Sequence, residues 1–322
     1  LQRRRQRQMC IRDRFCAGVD RAVKIVEQAI KKYGSPIYVR HEIVHNKDVV
    51  KSLESLGAIF VDEITDAPEN STIIFSAHGV PKSVFVNAKK RKMLSIDATC
   101  PLVTKVHNET IKHFNSSRKI LLIGHKNHPE VIGTMGQVPD GNVILIESLH
   151  EAKNIYIEDT NNLAYATQTT LSVDDTKEII EVLKQRFPDI KGPSTEDICY
   201  ATTNRQLAVK SMADMCDYIL VIGAQNSSNS QRLVEVAKKN GVSNSYLISD
   251  EDDLNIFLNN FNFTDSINIG LTAGASAPET LVQILISKLK RKFEVNLIDH
   301  EVVKEDIISV SYTHLTLPTT LQ

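Results

Sequence analysis

Apolar and polar positions fall in blocks along this chain, and one order of blocks repeats. A short apolar run comes first, then a polar loop rich in His, Ser, Thr, Asn or Gly, then a segment of helical period. "STIIFSAHGVPKSV" does this around His78, and "KILLIGHKNHPEVIGTM" around His125 and His128. "NLAYATQTTLSVDDT" does it at Thr169 and Thr170, "YILVIGAQNSSNSQRL" at Ser227, Ser228 and Asn229, and "INIGLTAGASAPETLV" at Ser276. Strands alternating with helices predict βαβ units and mainly parallel sheets. In such sheets ligands bind beyond the carboxyl ends of the strands. Five polar loops at five strand ends therefore predict one convergent polar pocket.

The helices are also legible. After Cys16, Val19, Val23, Val26 and Ile30 share one helical face, and Asp20, Lys24, Glu27 and Lys31 take the other. Gly34 suits the C-terminal cap. "SVDDTKEIIEVLKQRF" opens on Ser172 as a cap and stops before Pro188. Boundaries near 98 and 196 divide the chain into three α/β domains, 15–98, 99–196 and 197–303. The flanks, an Arg-rich 1–14 and a C-terminal 304–322, fit this pattern badly and read as sequence foreign to the gene.

Composition narrows the function. No apolar run approaches a membrane span, so the reading is a soluble protein. The net charge of −1 hides an asymmetry: residues 1–14 hold six Arg and one Asp, leaving about −6 on the rest. A mildly acidic body argues against nucleic acid as the main partner. The five cysteines (Cys10, Cys16, Cys100, Cys199 and Cys216) are odd in number and scattered, with no secretory segment ahead of them. That is no disulfide framework; it points to a reducing compartment, where clustered thiols mean metal or catalysis. Without a convincing transit peptide, bacterial cytoplasm is the expected location.

"HEIVH", residues 41–45, matches the zinc-peptidase pattern H-E-x-x-H. That chemistry needs both histidines on one helical face, whereas "PIYVR" before it reads as a strand and helical character starts only after Asn46. A polar strand-to-helix loop is the better reading, and His45 alone could face a pocket. Cys16, Cys100 and Cys199 each follow a short run with apolar residues and precede a helix, at separations of 84 and 99 residues. Pro101 directly after Cys100 would fix the turn presenting that sulfur. Spacing alone leaves two readings open: ligands of one shared metal centre, or three unrelated small hydrophobes. Glu130, two residues after His128 across a proline, is suited to passing a proton. The His, Ser, Thr and Asn loops offer many donors to a diphosphate.

Taken together, "FCAGVDRA", "YVRHEIVHN", "FSAHGV", "DATCPLVTKVH", "GHKNHPE", "ATQTTLSVDDT", "DICYATTNRQ", "QNSSNS" and "TAGASAPE" resemble the successive motifs of the LytB-type 4-hydroxy-3-methylbut-2-enyl diphosphate reductases, from Phe15 to Val303. The resemblance implies an α/β fold of three similar domains in a trefoil around a central [4Fe-4S] cluster. Its ligands would be Cys16, Cys100 and Cys199, leaving one iron without a protein ligand. His45, His78, His128, Ser227, Ser228, Asn229 and Ser276 would hold the substrate diphosphate. Glu130 would deliver a proton, and Thr169 would lie beside the substrate hydroxyl. The implied reaction is reductive dehydroxylation to isopentenyl and dimethylallyl diphosphate, closing the non-mevalonate pathway, with electrons from a ferredoxin or flavodoxin and a monomeric chain. One departure stands out: "MCIRDRF" precedes the first Cys motif, with Arg14 where the family has Gly. Two other readings remain, a non-catalytic diphosphate-binding protein on the same scaffold and a zinc hydrolase using HEIVH.

Overall fold

The computed structural model describes residues 15–260, 267–277 and 279–298. The expectations for the two tails, Arg14 included, lie outside the described residues.

Three parallel sheets organise the described residues. The first contains β1 (Ile37–Arg40), β2 (Ala58–Val61), β3 (Thr72–Phe75) and β4 (Leu94–Asp97), in the order β2-β1-β3-β4. It is accompanied by α1 (Ala17–Tyr33), α2 (Lys47–Ser55) and α3 (Lys82–Lys90). In the second, α4 (Pro101–Asn115) leads into β5 (Lys119–Ile123), α5 (Pro129–Met135), β6 (Val143–Ile146), α6 (Leu149–Asn154), β7 (Leu163–Thr167) and α7 (Val173–Arg186). In the third, α8 (Tyr200–Ala213) leads into β8 (Tyr218–Ile222), α9 (Ser228–Lys239), β9 (Ser245–Ile248), α10 (Glu251–Asn260), β10 (Ile269–Ala273) and α11 (Glu279–Lys292). Their orders are β6-β5-β7 and β10-β8-β9. In all three sheets the first strand is flanked by the second and the third, so one topology occurs three times. The first sheet adds β4 outside it.

Why these segments are strands follows from burial. β7 (LAYAT) and β10 (IGLTA) are buried at every position, and β5 and β8 at every position but the first. A strand covered by helices on both faces carries a continuous apolar run rather than an alternating one. The same runs are easily mistaken for buried helix; their five-residue length, and the glycine directly after β5, β8 and β10, decide for strand.

Expected local features recur in detail. Ser172 caps α7, its hydroxyl accepting from the Asp175 N–H at 3.3 Å. Gly34 ends α1 with φ +80°, a conformation that glycine adopts at little cost. The buried stripe of α1 is rotated slightly from the expected one. Ala22, Ile25, Val26 and Ala29 lie deepest, while Val19, Val23 and Ile30 flank them, partly buried. Two small alanines let the helix close on the sheet, and valine-based periodicity undercounts them.

Candidate active site

Each of three thiols is the N-cap residue of a helix: Cys16 of α1, Cys100 of α4 and Cys199 of α8. The backbone around each is anchored from another loop. Cys16 N–H donates to Ala275 O at 3.2 Å, Cys100 N–H to Ala77 O at 2.9 Å, and Cys199 N–H to Thr169 O at 3.0 Å. Pro101 occupies the first helical position after Cys100, where its missing N–H costs nothing. Asp97 Oδ1 accepts from the Thr99 N–H at 2.9 Å and closes the turn before Cys100. Gly18 is where two of the sulfurs meet. A Cβ there would stand 2.7 Å from Cys100 Sγ and 3.9 Å from Cys16 Sγ.

Two opposing effects act on these thiols. Helix N-termini favour an anionic sulfur, whereas burial favours the neutral thiol. Burial wins: it raises Cys100 and pushes Cys199 up to about 12. Cys199 Sγ nevertheless has partners that suit an anion, with the Thr202 N–H at 3.3 Å and Thr202 Oγ1 at 3.0 Å. A metal cation would tip the balance, because a coordinating thiol is deprotonated outright. Among the described residues no three His, Cys, Asp or Glu side chains are grouped to hold a single metal ion. The donor set is instead three thiols on separate helices around one cavity, which suits a cluster taking one thiolate per iron. With three such ligands, one corner of a four-iron cluster would be left for substrate.

The cavity has a volume of about 790 Å³, its open mouth included. Cys16, Cys100, Cys199, His45, His78, His128, Glu130, Thr169, Ser227, Ser228, Asn229 and Ser276 all line it. Val19, Val44, Ala77, Leu102 and Val103 supply an apolar wall. His45, His78 and His128 form a triangle, with ring centroids 4.3, 5.9 and 6.1 Å apart. Burial holds His78 well below its ordinary range and pushes His128 down to about 3, with the neighbouring His45 adding to both. Both shifts favour the neutral imidazole, which keeps one N–H donor and one acceptor nitrogen. His128 Nδ1 accepts the Glu130 N–H at 3.2 Å, which leaves the proton on Nε2. Asn229 is 3% exposed, yet neither its amide oxygen nor its amide nitrogen has a partner. His45 Nε2 is likewise buried and unpartnered. Buried polar atoms are rarely left so, and here they face the space an anion would fill. The serines are engaged with the protein: Ser228 Oγ donates to Thr170 O at 3.3 Å and Ser276 Oγ to His45 O at 3.1 Å. Ser227 caps α9.

Glu130 lies in the first turn of α5 and is 2% exposed. Thr169 holds both of its oxygens: the Thr169 N–H lies 2.7 Å from Oε1, and Thr169 Oγ1 lies 2.9 Å from Oε2. Burial pushes the carboxyl up to about 7, against the opposing pull of the two Thr169 bonds. A carboxyl that titrates near neutrality and touches a hydroxyl is a competent proton donor.

HEIVH makes no zinc helix. His41 has φ +59°, residues 41–46 are not helical, and α2 starts at Lys47 after its Asn46 cap. His41 Nδ1 lies 3.9 Å from Asp62 Oδ1, while His45 enters the cavity. Sequence reasoning missed Glu42 and Thr202. Gly18 in "CAG", read from the sequence as letting the backbone approach closely before the helix, does so against Cys100. The other two act through contacts between remote or capping positions that no periodicity reports.

Three like-ordered parallel sheets contribute loops to one cavity lined by thiols, imidazoles, hydroxyls and apolar side chains, which defines an α/β protein with a central candidate site. The LytB protein family model matches residues 10–290, and the chain belongs to that family. It is 57% identical over 283 residues to the 4-hydroxy-3-methylbut-2-enyl diphosphate reductase of Hyphomonas neptunium, covering 88% of this chain and 89% of that protein. With the enzyme of the same name from Phenylobacterium zucineum it shares 54% identity over 294 residues, covering 91% and 92%. Among solved structures, the Plasmodium falciparum E-1-hydroxy-2-methyl-but-2-enyl-4-diphosphate reductase superposes with a TM-score of 0.85 at 37% identity, covering 94% and 93%.

One prediction arises from the thiols alone. Gly18→Ala leaves the backbone unstrained but drives a methyl into Cys100 Sγ, so cluster content after reconstitution should fall at least by half with little change in Tm. Full occupancy would show that the Gly18 contact does not limit where the sulfur sits.

Proposed function

We propose that this chain reductively removes the hydroxyl of 4-hydroxy-3-methylbut-2-enyl diphosphate, giving isopentenyl and dimethylallyl diphosphate. The balance is two electrons and two protons taken up and one water released. A [4Fe-4S] cluster held by Cys16, Cys100 and Cys199 would supply the electrons and a Lewis-acidic iron when bound. Ferredoxin or flavodoxin is the donor class we assign, to a monomeric chain in bacterial cytoplasm. No described helix is long and apolar enough to cross a membrane.

The chain's own residues divide the remaining work. His45, His78, His128, Ser227, Ser228, Asn229 and Ser276 hold the diphosphate. Neutral His128 donates from Nε2, and Asn229 donates from its free amide. Val19, Leu102 and Val103 exclude water from the hydrocarbon end. Glu130 holds a proton on Oε2 and passes it to Thr169 Oγ1, whose own proton moves to the departing hydroxyl. The observation that carries this reading is the pairing of thiols with cavity loops. The three carbonyls that anchor the cysteine N–H groups belong to Ala77, Thr169 and Ala275, either cavity residues or their immediate neighbours. Cluster and substrate would then be positioned by the same backbone.

Turnover of the diphosphate substrate with a chemical reductant tests the reading, with Asn229→Ala alongside. The variant removes two unpaired buried polar atoms, so Tm should hold or rise while KM rises about tenfold. An unchanged KM with a lowered Tm would make Asn229 a structural residue, and absent turnover in the loaded wild-type chain would leave a binding protein.

A further inference from the structure

The glutamate of HEIVH has no part in the steps above, yet its position is specific. One carboxylate oxygen, Glu42 Oε2, accepts from His45 Nδ1–H at 3.2 Å and from Asn226 Nδ2–H at 2.9 Å. The first bond stays within the loop after β1. The second crosses to the loop after β8, which carries Ser227, Ser228 and Asn229 (184 residues away). Those bonds hold the Glu42 carboxyl below its ordinary range, the His45 contact first among the causes.

His45 needs such a hold. Its backbone is pinned by the third sheet's loop: Ser276 Oγ donates to His45 O, and the Asn46 side chain donates to Ser276 O. Among the described residues its ring makes one hydrogen bond, to Glu42, beside its ring contacts with His78 and His128. The ring also stands where two cavities meet, the central one and a second of about 1640 Å³, its open mouth included, between α2 and the loops after β8 and β9. Without Glu42 the imidazole could turn into either. With Nδ1–H given to Glu42, Nε2 is left buried and unpartnered, on a ring that lines the central cavity.

We infer that Glu42 is a positioning residue for diphosphate binding: it orients His45 and ties the His45 loop to the 226–229 loop through a single oxygen. The inference rests on the diphosphate reading of the cavity. Because both bonds land on one oxygen, the single carbonyl oxygen of glutamine can accept both, whereas alanine can accept neither. Positioning by geometry therefore separates from attraction by charge.

The test is isothermal titration of the anaerobically reconstituted full chain with inorganic pyrophosphate, with circular dichroism melting on each variant. Glu42→Ala should bind roughly tenfold more weakly, Glu42→Gln within about threefold of wild type, and Asn226→Ala between the two. The Asn226 variant alters an exposed side chain, so it stays informative even if Glu42→Ala proves unstable. Wild-type affinity in both Glu42→Ala and Asn226→Ala would overturn the inference, as would Glu42→Gln binding as weakly as Glu42→Ala. Absent pyrophosphate binding by the wild-type chain would instead sink the diphosphate reading itself.

Discussion

Glu130→Gln should lower kcat at least about 100-fold at pH 7, the scale of a lost proton donor, while the chain stays folded and still takes up its cluster. The substitution is nearly isosteric. The glutamine oxygen can accept the Thr169 N–H, and its amide can donate to Thr169 Oγ1, preserving both contacts that the carboxyl makes. What it cannot do is give up a proton. In the wild type, kcat should fall as pH rises through about 7, where Glu130 loses its proton. The same shift sets a stability trend of definite sign. The folded carboxyl binds its proton more tightly than the unfolded one, so its contribution is fully present below about pH 4.5 and is lost as pH rises through about 7. Glu130→Gln lacks that loss, so its Tm relative to wild type should improve between pH 5 and pH 8. Near-wild-type turnover in the variant would remove Glu130 from the proton path.

Cys100→Ser should abolish turnover by removing the cluster rather than by unfolding the chain. The thiol makes no cap hydrogen bond to α4. Serine is among the best N-cap residues, so the helix should be at least as stable. A serine hydroxyl is a harder and far less acidic ligand than a thiol, and it suits iron–sulfur chemistry poorly. Normal far-ultraviolet circular dichroism with the visible cluster absorption lost, and activity down at least about 1,000-fold, is the expected combination. A full cluster in this variant would break the three-thiol account.

How much of this was legible beforehand depended on the kind of signal. Runs such as KILLI and YILVI, followed by a glycine and a polar loop, marked strands whose carboxyl ends face a ligand, because parallel strands covered on both faces must be apolar throughout. The nine polar or acidic site residues and the three thiols could be named because their loops are local in sequence. HEIVH could be read correctly because "PIYVR" before it patterns as a strand and helical character starts only after Asn46; the left-handed His41 bears that out. What stayed hidden was set by contacts between distant segments. Glu42 meets Asn226 only once the first and third sheets are assembled, and Cys100 as the side chain that Gly18 admits appears only then too. The second cavity beside His45 left no trace in any periodicity either.

The central claim is that Cys16, Cys100 and Cys199 hold one iron–sulfur cluster at the floor of the diphosphate cavity. Its most direct test is iron, acid-labile sulfide and zinc analysis of the anaerobically reconstituted chain, read together with its visible spectrum. About four iron and four sulfide per chain, with a broad charge-transfer band that Cys100→Ser lacks, is the result the account predicts. A chain that folds but retains no iron, or that binds only zinc, would contradict it.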